Sequence, residues 1–258
     1  MEISESPSIV RRRKVSRRPT ASLKARLHQT LAREIGTKIV SGIYSPGESL
    51  PGEIAASQER RVSRAAYREA VRILAAKGLV ESRQKAGTLV TERSRWNLLD
   101  PDVLHWILSS NSDPTFPERL FELRSIIEPA AASLAAERRT DEDVVAIETA
   151  LAEMRRHPPD SPAGELADEQ FHEAMFAAAG NDVLSRLASI IAASVKFVAE
   201  YKREKHIERD TWPDHKALFD AIRAGKPRAA GGAMVNLIAH ARADTNSGAA
   251  PKHRVAAG

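Results

Sequence analysis

Between Arg26 and Glu92 the spacing of apolar residues, turn formers and charges leaves few folds open to this 258-residue chain. Leu27, Leu31, Ile35 and Ile39 recur every fourth position, one face of a helix, and Gly42 stands where a left-handed cap would end it. In "YSPGESLPGE", Pro46 and Gly47 signal a turn. Pro51 suits the first turn of a second helix, with Glu53 near its positive end. Ser63 is a good N-cap for a third helix, which runs through Tyr67, Ala70, Val71 and Leu74 to a stop at Gly78. "LVESR" and "GTLV" then flank "QKAG", the pattern of a short hairpin. Three helices and a hairpin predict a winged helix-turn-helix over 23–92.

The charge agrees with that placement. Residues 1–92 hold 18 Lys and Arg against 9 Asp and Glu, whereas the remainder holds 21 against 25. A basic N-terminal third on a mildly acidic body points to a polyanion partner for the first part alone. On the third helix Arg64, Arg68 and Arg72 share one face, while Ala66, Ala70, Ile73 and Leu74 supply the packing side. Guanidinium groups at a helix start suit guanine O6 and N7 in the major groove, and the small Ala65 permits close approach. A solvated basic stripe is the plainer alternative; the position between a turn and a hairpin favours DNA. The basic run within 1–22 reads as a disordered tail.

Beyond Glu92 the texture is helical throughout. Alanine-rich amphipathic segments near 99–110, 117–138, 141–155, 163–179, 181–206, 212–224 and 227–245 are separated by Pro, Gly, Asn or Asp, with no strand-like alternation. This predicts a linker and connecting helix over 93–112, an all-α bundle of six or seven helices over 113–246, and a disordered tail over 247–258. There is no cysteine, so disulfides, thiolate nucleophiles and sulfur metal ligands are excluded, in keeping with a reducing cytoplasm. No secretory signal or membrane span is visible. An enzyme fares poorly: "HEAMF" begins like a zinc-protease motif but has Phe176 where a second histidine is needed, and no nucleophile elbow or phosphate loop occurs. A metal-dependent hydrolase and a nonspecific architectural DNA-binding protein are the alternatives. The long helical body with its polar cluster argues against the second.

"SGIYSPGESLP" followed by "VSRAAYREAVRILAAKGLVESRQKAGTLV" resembles the GntR family of bacterial transcription regulators. The resemblance implies DNA contacts from Ser63, Arg64 and Arg68, and a wing carried by Lys85 and Gly87. Two departures from it stand out, at three positions. Ile54 stands where members often carry arginine, and Arg60 and Arg61 replace an apolar residue and glycine. Arg60 is then expected to snorkel along the helix pair and Arg61 to reach a phosphate. "WNLLDPDVLHWIL", "LRSIIEPAAASLAAER" and "DHKALFDAIRAG" extend the likeness to the FadR-like branch with its helical FCD effector domain, and within it to repressors of sugar-acid operons.

Asp168 and His172, four apart, share a helix face and by themselves fit either a metal site or an ion pair. The resemblance implies a divalent metal (zinc, nickel or manganese) on Asp168, His172 and His215, beside a carboxylate effector. The family's fourth ligand position falls on Leu237. His240, one turn further, lies about 60° round the helix and faces solvent unless that helix rotates. Asn236 and His240 are nevertheless effector candidates. Arg124 is four residues before Glu128; an i, i+4 ion pair is the plain reading, and the resemblance makes it the pocket arginine that grips the effector's carboxylate. Asn181 is read as an N-cap that also lines the pocket. The resemblance further implies a homodimer on palindromic operator DNA, released by a small carboxylate such as an aldonate.

Overall fold

The first helix, α1 (Ala21–Val40), buries Leu31, Ile35 and Ile39 and leaves Leu27 on the surface. It ends as its glycine requires: Gly42 adopts φ 78°, and the amides of Gly42 and Ile43 turn back to the carbonyls of Ile39 and Lys38. The computed structural model describes residues 21–207 and 209–247. The tails expected to be disordered lie outside the described residues, except that Ala21 and Ser22 belong to α1 and Ser247 ends the last helix.

The second helix, α2 (Glu53–Glu59), begins two residues later than Pro51 suggests. Gly52 is the N-cap, and Pro51 stays outside because its carbonyl accepts the Tyr67 hydroxyl at 2.7 Å. The third, α3 (Arg64–Ala76), has Ser63 as N-cap, its hydroxyl accepting the Ala66 amide at 3.1 Å. Strands β1 (Val80–Arg83) and β2 (Gly87–Val90) pair antiparallel with Val80 opposite Val90 and Arg83 opposite Gly87. The segment before α2 joins their edge, since Ser49 bridges Leu89 and the Gly47 amide donates to the Val90 carbonyl.

Residues 93–112 form more than a linker. After a single 3-10 turn comes α4 (Pro101–Ser110), capped by Asp100, and its Val103, Leu104, Trp106 and Ile107 share one core with Ile35, Ile39 and Leu74 of the winged helix. Lys77 at the end of α3 pairs with Asp100 at 2.6 Å and Asp102 at 2.8 Å. The same core takes in Phe116, Leu120 and Ile190 of the helical body. Trp106 packs against α1 at Gly36, where any Cβ would overlap the indole ring. Gly36→Ala therefore forces the ring or the helix to move and should cost about 1–3 kcal/mol of overpacking. Thermal unfolding of the variant should show a lowered melting temperature, and an unchanged one would refute this packing.

The body comprises α5 (Phe116–Arg138), α6 (Asp141–Arg156), α7 (Pro162–Ala178), α8 (Asp182–Ser185), α9 (Ala188–Lys205), α10 (Trp212–Arg223) and α11 (Pro227–Ser247). The segment 181–206, expected as one helix, is two. Asn181 caps a single short turn, and the Ser185 hydroxyl ties that turn to the Phe176 carbonyl before α9 sets off from Leu187. Among the described residues the bundle past residue 113 thus has seven α-helices, one of them a single turn, within the six or seven expected. A second core of Phe121, Phe171, Met175, Phe176, Leu218, Phe219 and Met234 fills the bundle. No helix among the described residues is long and apolar enough to cross a membrane.

Candidate functional site

Two regions carry chemistry. At the winged helix, Arg61, Ser63, Arg64, Arg68, Lys85 and Gly87 are all exposed, at the α2–α3 turn, the start of α3 and the tip of the hairpin. Arg61 and Lys85 both adopt positive φ (53° and 67°), unusual for residues with a Cβ, which turns their chains at the loop tips. The Arg64 side chain makes no hydrogen bond or ion pair with another described residue. Arg68 is held by Glu53 of α2 in a two-pronged pair, Nε to Oε1 at 2.9 Å and Nη2 to Oε2 at 3.0 Å. Its guanidinium is thereby aimed across the start of α2, and the carboxylate must yield before Arg68 can meet a base. Ile54 is 62% exposed on α2, an apolar side chain next to Glu53 where the family resemblance expects a cation. Arg60 lies along the helix pair with its guanidinium 3.5 Å from Glu34 of α1.

In the body a cavity of about 400 Å³ is lined by Arg124 of α5, Asp168 and His172 of α7, Lys202 of α9, His215 of α10 and Leu237 of α11. Arg124, Asp168, His172 and His215 therefore come together from three helices. One ligand atom from each of Asp168, His172 and His215 lies within 4.8 Å of the others. Thr211 is the N-cap of α10, and the His215 Nδ1–H donates to its carbonyl at 2.8 Å. A carbonyl only accepts, so the proton sits on Nδ1 and Nε2 faces Asp168 Oδ1 at 3.1 Å. His172 Nδ1 lies 3.0 Å from Glu128 Oε2, off hydrogen-bond alignment, and its Nε2 lies 3.5 Å from the same Asp168 oxygen. With His215 Nδ1 turned to the Thr211 carbonyl, its Nε2 lone pair, the Asp168 carboxylate and His172 Nε2 converge, an arrangement that a proton or a cation between them would complete. The set fits a divalent ion with nitrogen and oxygen preference, such as zinc, nickel or manganese, held by Asp168, His172 and His215. Glu128 and the Thr211 carbonyl would orient the two rings from behind.

The electrostatics are those of a buried site. Burial alone would raise the carboxyls of Glu128 and Asp168. The Arg124 charge with His172 outweighs this at Glu128, and the His215 charge and hydrogen bond, with His172 and Arg124, outweigh it at Asp168; each is held at about 2. Burial would lower His215, but Asp168 and the Thr211 carbonyl raise it above the ordinary imidazole value. Arg124 is 1% exposed: Nε bonds Glu128 Oε1 at 2.5 Å, Nη1 bonds the Ser194 hydroxyl at 3.3 Å, and the group stacks on Phe121. Arg124 is thus a buried i, i+4 pair that also faces the cavity.

Three expected pocket residues are placed elsewhere. Asn181 is exposed and its side chain caps α8, accepting the Val183 and Leu184 amides at 3.1 Å. Asn236 is exposed on the outer side of α11. His240 is 60° round from Leu237 and turns outward to Asp214 at 3.0 Å, while Leu237 itself faces the cavity. Lys202 completes the wall, Glu128 and Ser194 stand behind it as partners of Arg124, and none of the three was singled out for the pocket from the sequence. Glu128 had a visible signal in its spacing from Arg124 and Ser194 had none.

Residues 27–90 match the model of the bacterial regulatory proteins of the gntR family, and residues 119–240 match the FCD domain. The galactonate operon transcriptional repressor of Escherichia coli strain K12 is 40% identical over 207 residues, 80% of this chain and 90% of that protein. The HTH-type transcriptional regulator LutR of Bacillus subtilis strain 168 is 31% identical, covering 76% and 91%. In structure, a protein described as Lar, which controls expression of the Listeria monocytogenes agr system, superposes with a TM-score of 0.62 at 19% identity. It covers 89% of this chain and 99% of that one, a likeness of fold. These relatives and domains are those of transcription regulators and not of enzymes. The chain belongs to the GntR family of bacterial transcription regulators, with an FCD domain following its winged helix.

Proposed function

We propose that this regulator is a repressor released from palindromic operator DNA by a small hydroxy carboxylate of the sugar-acid class, such as an aldonate. The observation that carries the reading is the cavity in which Arg124 and the Asp168, His172 and His215 cluster face the same space. Charge supports a carboxylate. Arg124 balances Glu128, Arg209 and Lys202 balance Asp244 and Asp214, and Asp168 is faced by two histidines. A divalent cation on Asp168 would leave one positive charge, which one carboxylate neutralises. The name of the galactonate operon repressor supports the same ligand class. Two protomers associate through their helical bodies and set two α3 helices on half-sites, so that the symmetry of protein and DNA agree. Effector binding lowers operator affinity by the factor by which DNA lowers effector affinity.

The test is a thermal-shift screen of sugar acids and simpler carboxylates on the full chain, with and without a chelator. An aldonate should raise the melting temperature, and the chelator should remove most of the gain. The absence of any shift across the panel refutes the effector class; a gain indifferent to chelator refutes the metal. Because a ligating imidazole must be unprotonated and His215 is raised above its ordinary 6.5, metal affinity should already be falling as the pH drops from above that value. Titration of zinc into chelator-stripped protein between neutral and mildly acidic pH measures the fall.

A further inference from the structure

Lys202 has so far entered only as a wall residue and a balancing charge. It is 7% exposed near the end of α9 and lines the same cavity. Its ammonium donates to the Arg209 carbonyl at 2.9 Å, and Asp244 Oδ2 stands 3.8 Å away, beyond hydrogen-bond reach. An ammonium carries three N–H groups, so two have no protein acceptor among the described residues, an expensive arrangement for a buried charge with no ligand to complete it. Asp244 is itself set in place by Arg209 Nε, which bonds both its oxygens at 3.0 and 2.8 Å, while Arg209 Nη1 is anchored on Asp214 at 2.7 Å. Arg124 reaches the same wall helix at Ser194, eight residues earlier. At a rise of about 1.5 Å per residue, the two cations meet α9 about 12 Å apart along its axis.

We propose that Lys202, steadied beside Asp244, is the specificity-determining contact for the distal hydroxyls of a polyhydroxy monocarboxylate whose carboxylate lies at the Arg124 end. The inference rests on the sugar-acid reading above and sharpens it to chain length and charge. A hydroxyl needs a donor and an acceptor together, and Lys202 and Asp244 present one of each. A second carboxylate at the same end would meet Asp244 as a like charge. A short 2-hydroxy acid reaches the Arg124 end and stops there.

Isothermal titration of the full chain with gluconate and galactonate (six-carbon aldonates), glucarate (the matching dicarboxylate) and lactate (the short acid) separates the cases. Wild-type protein should bind the better aldonate about 10- to 100-fold more tightly than lactate, the range for hydrogen bonds to a charged group. Lys202→Met should bring the aldonate to the lactate level and leave lactate unchanged, and its retained lactate binding shows that the variant is folded. Asp244→Asn should weaken the aldonate in the same direction. A preference for the aldonate that survives in Lys202→Met overturns the proposal, as does an equal loss for both acids or a wild-type preference for glucarate. If none of the four acids binds wild-type protein, the sugar-acid reading falls as well.

Discussion

Replacing Arg64 and Arg68 together by alanine should remove operator-specific binding while leaving the fold intact. Both side chains are exposed on α3, whose core residues Tyr67, Ala70 and Leu74 point the other way. Each bidentate contact to guanine is worth about 1–3 kcal/mol of discrimination, so the double variant should lose about 10²- to 10⁴-fold in affinity for its operator. Affinity for a scrambled duplex should fall much less, since Arg61, Lys85 and the other basic groups remain exposed and available to phosphate. Fluorescence anisotropy at one fixed salt concentration with the two duplexes measures the ratio. If the double variant still prefers the operator over the scrambled duplex, α3 is not the reading helix. Arg68 adds a detail of its own: Glu53 grips it in the free protein, so Glu53→Gln should change affinity without touching any other DNA-facing residue.

The winged helix could be read from the sequence because its signals are local. Ser63 caps, Gly42 and Gly78 end helices with positive φ, and the hairpin is set by residues 80–90 alone. The site was legible only in part. An i, i+4 spacing puts Asp168 and His172 on one face, and helix rotation places His240 away from Leu237; both follow from helix geometry, and both stand in the structure. What helix geometry does not carry is which tertiary neighbour waits there. Lys202 looks like one more cation in "YKREK", and its burial comes from the return of the chain at Arg209 against α11. Thr211 acts through its carbonyl, which no side-chain pattern marks. The segment 93–112 was expected as a linker and connecting helix, yet Trp106 and Ile107 are core to the winged helix and Phe116 and Leu120 continue that core into the body, contacts that no local pattern marks. This gives a physical connection: α4 lies against α1 on one side and α9 on the other, and α9 carries Val195, Val198 and Lys202 at the cavity wall and Ser194 on Arg124.

Arg124→Ala should destabilise the body as well as abolish the effector response, and the two effects must be separated. Glu128 has no solvent exposure, and its carboxyl stays ionised because Arg124 and His172 face it. Removing the guanidinium strands a buried negative charge, a change that costs about 3–5 kcal/mol. In a body of this size that corresponds to about 6–20 °C in melting temperature. The loss should shrink on acidification. Without Arg124, burial pushes the Glu128 carboxyl upward, so the variant takes up a proton there at a pH where the wild-type carboxyl, held at about 2, is still charged. Replacing the pair, Arg124→Met with Glu128→Met, takes away both charges and keeps most of the volume, so most of the stability should return. The paired variant should bind operator as tightly as wild type and fail to release it when an aldonate is added, because the group that meets the carboxylate is gone. Calorimetry of the single and paired variants reads the first effect, and anisotropy with labelled operator under increasing aldonate reads the second. Release at the wild-type aldonate concentration in the paired variant would place the carboxylate elsewhere in the cavity, and a single variant as stable as wild type would mean that Glu128 does not depend on Arg124.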